Sequence, residues 1–153
     1  MPANPETGGV RIRPVDEMDI SAIVRIDEKV TGRYRPEDWE RRIAYYLRRD
    51  PESSFVAESE KDGKVLGFML GEVRAGEFGL EEPTGWVEVL GVDPAARQMG
   101  LGRRLAETMH AYFKKKGAKT VRTLVDTRMG EISKFFESVG LAPSSIRVYE
   151  KVL

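Results

Sequence analysis

The stretch that decides the fold is "VDPAARQMGLGRRLAETM", Val92 to Met109. It places Arg97, Gly100 and Gly102 within six residues, where the strand-like run "GWVEVLGVD" gives way to apolar residues four apart, Leu101, Leu105, Met109 and Phe113. Strand, glycine turn, then helix is the order this predicts. Glycine at such a junction costs order, so its placement asks for a reason. The first backbone N–H groups of a helix lack intrahelical partners and lie at the positive end of its dipole. Without Cβ atoms at Gly100 and Gly102, a phosphate can approach that backbone closely, and Arg97, Arg103 and Arg104 add charge nearby. A tight loop whose glycines only relieve strain is the competing reading, and the strand-to-helix context favours the anion.

Upstream of this junction, "VRIRPV" alternates as a short strand, and Asp16 is placed to cap a helix carrying Met18, Ile23 and Ile26. In "RPEDWERRIAYYLRRD", Trp39, Ile43 and Leu47 recur every four residues with the arginines largely on other faces, a second helix. The runs "SSFVAESE" and "KVLGFMLGEVRAG" meet at Asp62-Gly63, a hairpin signal. Downstream, Gly117 ends the central helix and "KTVRTLVD" reads as a strand. "GEISKFFESVG" reads as a helix with Gly140 at its end, and "SSIRVYEKVL" as a closing strand. The predicted order is β-α-α-β-β-β-α-β-α-β, a mixed α/β sheet covered by helices. Residues 1–9 are loose, and residues 10–153 form one domain with no Pro/Gly/Ser-rich linker inside it.

Composition narrows the chemistry. The 25 basic and 25 acidic residues cancel, so net charge points neither toward nor away from nucleic acid. The absence of cysteine removes disulfides, zinc-thiolate sites and a cysteine nucleophile together. A lone histidine, His110, gives no support for a metal site. The arginines around Trp39, Tyr45 and Tyr46 are read as a solvated helix face rather than a nucleic-acid surface. "MPANPETGG" has no basic start or apolar run, and no stretch approaches the roughly 18 apolar residues that span a bilayer. A cytoplasmic protein that does not engage the membrane is the expectation.

The phosphate ligand can be narrowed by elimination. No G-x-x-x-x-G-K-[ST] run occurs, and a dinucleotide fingerprint fails because Leu105 stands where its third glycine should fall. What remains, Arg97-x-x-Gly100-x-Gly102 after "VLGVDP", resembles the acyl-CoA motif of the GNAT superfamily, the GCN5-related N-acetyltransferases. "VRIRPV" with the helix from Asp16, "KVLGFMLGEV" and "KFFESVG" resemble further elements of that family, and the order of elements is also the family's. The resemblance implies acetyl-CoA as cosubstrate. Arg97, Gln98, Met99, Gly100, Leu101, Gly102 and Arg103 would line its pyrophosphate, and the backbone of Leu90, Gly91 and Val92 would pair with the pantetheine arm like an added strand. No metal is expected.

An amine of pKa near 10.4 is neutral in about one molecule in a few thousand at pH 7, so removing its proton costs roughly 4 to 5 kcal/mol. A general base is therefore useful. Glu88 stands in "GWVEVLGV" between apolar neighbours, where a carboxylate is expected to be a better proton acceptor than an exposed one. It also matches the base of histone-type members. The outward-facing, idle glutamate of a half-solvated strand is the alternative. Two positions depart from the family's pattern: Phe136 stands where many members carry a tyrosine that protonates the leaving thiolate, and Met129 where many have asparagine. Tyr149 is a weak substitute for the missing acid.

The reading is an N-acetyltransferase acting by direct attack in a ternary complex, with a protein lysine as the preferred acceptor. Small amines and protein N-termini are alternatives, and a non-catalytic CoA-binding sensor is the alternative of another class. Because little chain follows Gly140, the acceptor groove is expected to have one low wall, open to a folded protein or completed by a second copy in a homodimer. Glu77, Glu81 and Glu82 in "GEFGLEEPTG" are placed to attract a cationic acceptor.

Overall fold

Alternating apolar residues make Val10–Pro14 the first strand, β1. The computed structural model describes residues 9–75 and 82–153. Asp16 accepts from the Met18 N–H at 2.8 Å, capping a single 3-10 turn, Glu17–Asp19, rather than an α-helix. The first α-helix, α1, begins only at Ile20 and runs Ile20–Thr31. Met18 therefore lies off the helical stripe and is 84% exposed, whereas Ile23 and Ile26 are buried as their spacing predicts. The second helix, α2 (Pro36–Arg49), starts on a proline, carries Glu37 and Asp38 in its first turn and Arg48 and Arg49 in its last, an order that complements its dipole. It buries Trp39, Ile43 and Tyr46. Strands β2 (Phe55–Ser59) and β3 (Val65–Arg74) form the expected hairpin, with Gly63 at φ 71° in its turn. Then come β4 (Thr84–Val92), a 3-10 turn (Pro94–Met99), α3 (Leu101–Lys115), β5 (Thr120–Thr123) and α4 (Gly130–Ser138).

The sheet order is β1-β2-β3-β4-β5, antiparallel except for the parallel β4–β5 pair. Alternation sorts the strands onto two cores. Phe55, Ala57, Met69 and Val87 face Leu101, Leu105, Met109 and Phe113 of α3 and Phe136 of α4. Val56, Phe68 and Leu70 face Ile23, Ile26, Trp39, Ile43 and Tyr46 of α1 and α2. One irregularity matters for the site. Leu70 pairs with Val89 but its neighbour Gly71 pairs with Val87, so Glu88 is the extra residue of a β-bulge. The bulge reverses the alternation: Val87 faces α3 before it, and Leu90 and Val92 face the same core after it.

Two expectations fail at the sheet's far side. β5 stops at Thr123, short of the expected "KTVRTLVD" strand. The closing strand "SSIRVYEKVL" does not pair with this chain's sheet: Leu141 still packs on the core, and residues 142–153 are all exposed. Among the described residues, no helix is long and apolar enough to cross a membrane.

Candidate active site

The site begins where β4 parts from β5. Pairing with β5 runs from Thr84 opposite Thr120 to Val87 opposite Thr123, where β5 ends. Pairing with β3 continues to Val92 opposite Gly67. From Glu88 to Val92, β4 thus has a strand on one edge and, among the described residues, none on the other. That open edge spans about 16 Å at 3.3 Å per residue. It holds the segment Leu90, Gly91 and Val92 predicted to pair with an extended ligand.

At the end of this edge the chain turns on an anchored corner. Asp93 is buried, with its carboxylate accepting from the Ala95 N–H at 3.0 Å and from Lys29 Nζ of α1 at 3.0 Å. Burial raises its pKa, but these donors outweigh that and leave it below the ordinary carboxylate value. The Asp93 N–H donates to the Leu66 carbonyl at 2.8 Å. The corner is therefore fixed by the protein itself, with no ligand needed to shape it. Gly100 follows at φ 69°, the left-handed conformation that admits α3 straight after the turn, and nothing stands within 4 Å of where its Cβ would be.

Gly102 has a different reason. A Cβ there would lie 2.9 Å from Cε1 of Phe135, so the second glycine admits the aromatic of α4. Gly91 likewise makes room for Phe68, 2.5 Å from its ideal Cβ. Of the predicted pyrophosphate residues, Arg97 and Gln98 are exposed, Met99 packs against the α3 core and Leu101 is buried in it. The side chains of Met99 and Leu101 are thus committed to the core. The Arg103 side chain is engaged elsewhere, donating to the Ser138 carbonyl at 2.9 Å, and Arg104 donates to the Val10 carbonyl at 3.0 Å. The expected arginine cluster is thus divided between the loop and the packing of α3. Arg97 remains beside the loop.

Glu88 sits at the mouth of the parting, but not in the apolar company expected of it. The bulge turns it out of both cores, and its carboxylate accepts from the Arg74 guanidinium. Arg74 also stacks over Trp86, 5.4 Å from the ring centre, and its Nε donates to Glu72 at 2.7 Å. Glu72 escaped the sequence reading. It is 2% exposed and accepts from the Tyr45 hydroxyl at 2.8 Å and Arg49 Nε at 3.2 Å as well. Burial pushes its pKa up, and the Arg74, Tyr45 and Arg49 donors more than reverse the shift. Accepting this bond from Tyr45 in turn raises the phenol's pKa. The one signal for this network in the sequence was a glutamate two residues before an arginine on an otherwise apolar strand.

Other candidates separate from the site. Tyr149, the weak substitute for an acid, is 91% exposed in the C-terminal segment, and Phe136 is buried. His110 Nε2 is buried without a hydrogen-bond partner, and burial lowers the ring's pKa. Among the described residues no cluster of His, Asp and Glu is arranged to hold a metal ion. Glu77 and Glu81 lie outside the described residues, and Glu82 is exposed.

A mycothiol acetyltransferase of Thermobispora bispora is 30% identical over 97% of this chain and 52% of its own length. One from Acidothermus cellulolyticus is 31% identical over 74% of this chain and 37% of its own. The chain spans about half the length, or less, of these curated relatives. In structure, aminoglycoside N-acetyltransferase AAC(6')-Iy in complex with CoA superposes with a TM-score of 0.80 at 17% identity, covering 97% of this chain and 98% of that one. Ard1 from Thermoplasma volcanium gives 0.74 at 23% identity, covering 90% and 85%. Residues 20–140, from α1 through the parting of β4 and the glycine corner to the end of α4, match the Acetyltransferase (GNAT) family, to which this chain belongs.

Proposed function

We propose that the chain is an acetyl-CoA-dependent N-acetyltransferase, working as one domain over residues 10–153, that transfers an acetyl group to a primary amine by direct attack in a ternary complex. The observation that carries this is the open edge of β4, which leads from Glu88 to the Gly100 corner of α3. Bound there, acetyl-CoA supplies the activated acyl group as a thioester. The N–H and C=O groups of Leu90 and Val92, which alternation turns to the open edge while Gly91 pairs with β3, align its arm as an added strand would be aligned. The first turn of α3, from Leu101 to Arg103, presents unpaired N–H groups, with the Arg97 charge beside it, to the pyrophosphate. Glu88 takes the proton of the incoming amine, directly or through a water, and Arg74 fixes the direction of its carboxylate. The thiolate leaves without a protein acid, consistent with Phe136 at the family's tyrosine position, since a thiol of pKa about 8.5 is a good leaving group unprotonated.

The acceptor we favour is a small-molecule amine, because the relatives at 30 and 31% identity are named mycothiol acetyltransferases and a neighbour in structure is an aminoglycoside N-acetyltransferase. A protein lysine is the second reading, supported by the exposure of residues 142–153, which leaves that side of the isolated chain unwalled. A second copy of the chain is the partner that closes it.

Calorimetric titration with acetyl-CoA, CoA and ATP tests the cofactor, with Gly100→Glu as control. Micromolar binding of acetyl-CoA that is lost in the variant and absent for ATP is expected. Because the chain has no cysteine, a thiol reagent then reads released CoA alone as amines are screened. Binding without thiol release on any amine would make the protein a CoA sensor, and no binding would overturn the reading altogether.

A further inference from the structure

We infer that one face of α2, carrying Arg42, Tyr45 and Arg49, binds an anionic group on the acceptor, so that the amine acetylated here belongs to a small molecule that also bears a carboxylate or a phosphate. This rests on the reading of Glu88 as the base that meets the amine, and it specifies the far end of the same molecule.

Arg42, Tyr45 and Arg49 stand at i, i+3 and i+7 in "RRIAYYLRR", which puts them on one face of the helix, beside the stripe of Trp39, Ile43 and Tyr46 that is buried on the sheet. The Tyr45 hydroxyl donates to Glu72 Oε1 at 2.8 Å, and Arg49 Nε donates to Glu72 Oε2 at 3.2 Å. Glu72 also accepts from Arg74 Nε at 2.7 Å, and Arg74 reaches Glu88. Arg49 is thus joined to the base through a relay of ion pairs, on the order of 10 Å long. Tyr46 packs edge-on against Tyr45, 5.2 Å between ring centres, and its phenol lies in the field of Glu88, Arg42, Glu72 and Arg74 together. Arg122 stands opposite Trp86 in the β4–β5 register and so shares that side of the sheet, where Arg74 covers the Trp86 ring. Of the six charged side chains gathered here, four are arginines and two are glutamates, and the balance is positive.

Two of these arginines are oriented by the protein and keep donors to offer. Arg49 is 52% exposed and holds Glu72 by Nε, while its Nη groups meet no described residue. Arg42 is exposed, is held by a cation–π contact 5.0 Å from the centre of the Trp39 ring, and makes no ion pair with a described residue. A guanidinium fixed in this way and open at its fork suits a planar carboxylate or a phosphate, each of which accepts two parallel hydrogen bonds. The surplus positive charge repels an acceptor with a second cation and favours one whose other end is an anion. One molecule then satisfies both ends, with its amine at Glu88 and its anion at Arg42 and Arg49.

The test separates binding from turnover. Four straight-chain amines that differ only at the far end are titrated calorimetrically into the chain in the presence of CoA: aminohexanol, diaminohexane, aminohexanoate and aminohexyl phosphate. The carboxylate or the phosphate should bind at least about tenfold more tightly than the alcohol, and the diamine more weakly than the alcohol. The tighter of the two anions identifies the group as a carboxylic acid or a phosphate ester. An Arg42→Gln, Arg49→Gln double variant should reduce the preference to within about twofold while keeping its affinity for the alcohol and for acetyl-CoA. Arg48→Gln, on another face of α2, should leave the preference intact. A preference unmoved by the double variant, equal binding of the four amines or binding of none would overturn the anion subsite. Thiol release from acetyl-CoA on the same amines is read separately: anion preference without release keeps the subsite and removes acetyl transfer, and equal release on all four keeps transfer and removes the subsite.

Discussion

Glu88 and Glu72 are both carboxylates facing Arg74, and their surroundings separate their tasks. Glu72 is closed in by Tyr45, Arg49 and Arg74, with no room for a substrate proton, so it holds the guanidinium in place. Glu88 stands at the bulge, open to the parted edge of β4. Glu88→Gln should lower kcat at pH 7 about a hundredfold or more with acetyl-CoA affinity unchanged. Activity should recover as pH rises toward the pKa of the amine, which then needs no base. A pH–rate profile checks this, and a variant as active as the parent at every pH removes Glu88 from the mechanism. Glu88 was legible in the sequence as a lone carboxylate in an apolar strand. Its environment was not, because Arg74 and the Glu72 that holds it come from β3 and the residues that hold Glu72 from α2. A bulge is one extra residue in a register, and register exists only between strands.

At the scale of elements, the start of α3 combines two glycines with separate physical roles. Gly100→Ala meets only the backbone cost of a positive φ, about 1 to 2 kcal/mol. Gly102→Ala pushes on Phe135 of α4, so its cost should depend on what stands at that position. In a double-mutant cycle with Phe135→Leu, Gly102→Ala should couple by about 1 kcal/mol and Gly100→Ala not at all, as read from denaturant unfolding. Equal coupling for the two would show that Gly102 is not a packing glycine. The helices themselves were readable: Trp39 and Ile43 in α2, and Leu105, Met109 and Phe113 in α3, keep the spacing that buries one face. The exception is Met18, placed on a helix by period alone. Asp16 instead spends its carboxylate on a 3-10 turn, and α1 starts later.

Across the whole molecule, three buried carboxylates tie helices to one another, to the sheet and to its loops. Asp93 joins α1 to the corner through Lys29, Asp27 joins α1 to the start of α2 through Arg35, and Glu72 joins β3 to α2. All three have pKa values raised by burial and lowered further by their donors, with a net depression on folding. A depressed pKa stabilises the fold above the unfolded value, about 4 for Asp and Glu. That contribution is lost as pH falls through the lower folded values. Thermal melts should therefore hold level near neutrality and fall steeply below about pH 4. Asp93→Asn should lower Tm at pH 7 and flatten that acid limb, and an unaltered limb would remove Asp93 from the account. Taken as a whole, the sequence determined what depends on neighbours along the chain: the helices by their period, the hairpin by Asp62-Gly63, and the glycine corner by its place between strand and helix. Only the tertiary structure decided what depends on partners far along it. The end of β5 opens the edge of β4, the bulge turns Glu88 outward, and Gly102 answers to Phe135. The C-terminal segment shows the division most clearly, since its pattern gives it the capacity to pair, while in the structure residues 142–153 lie exposed and off the sheet.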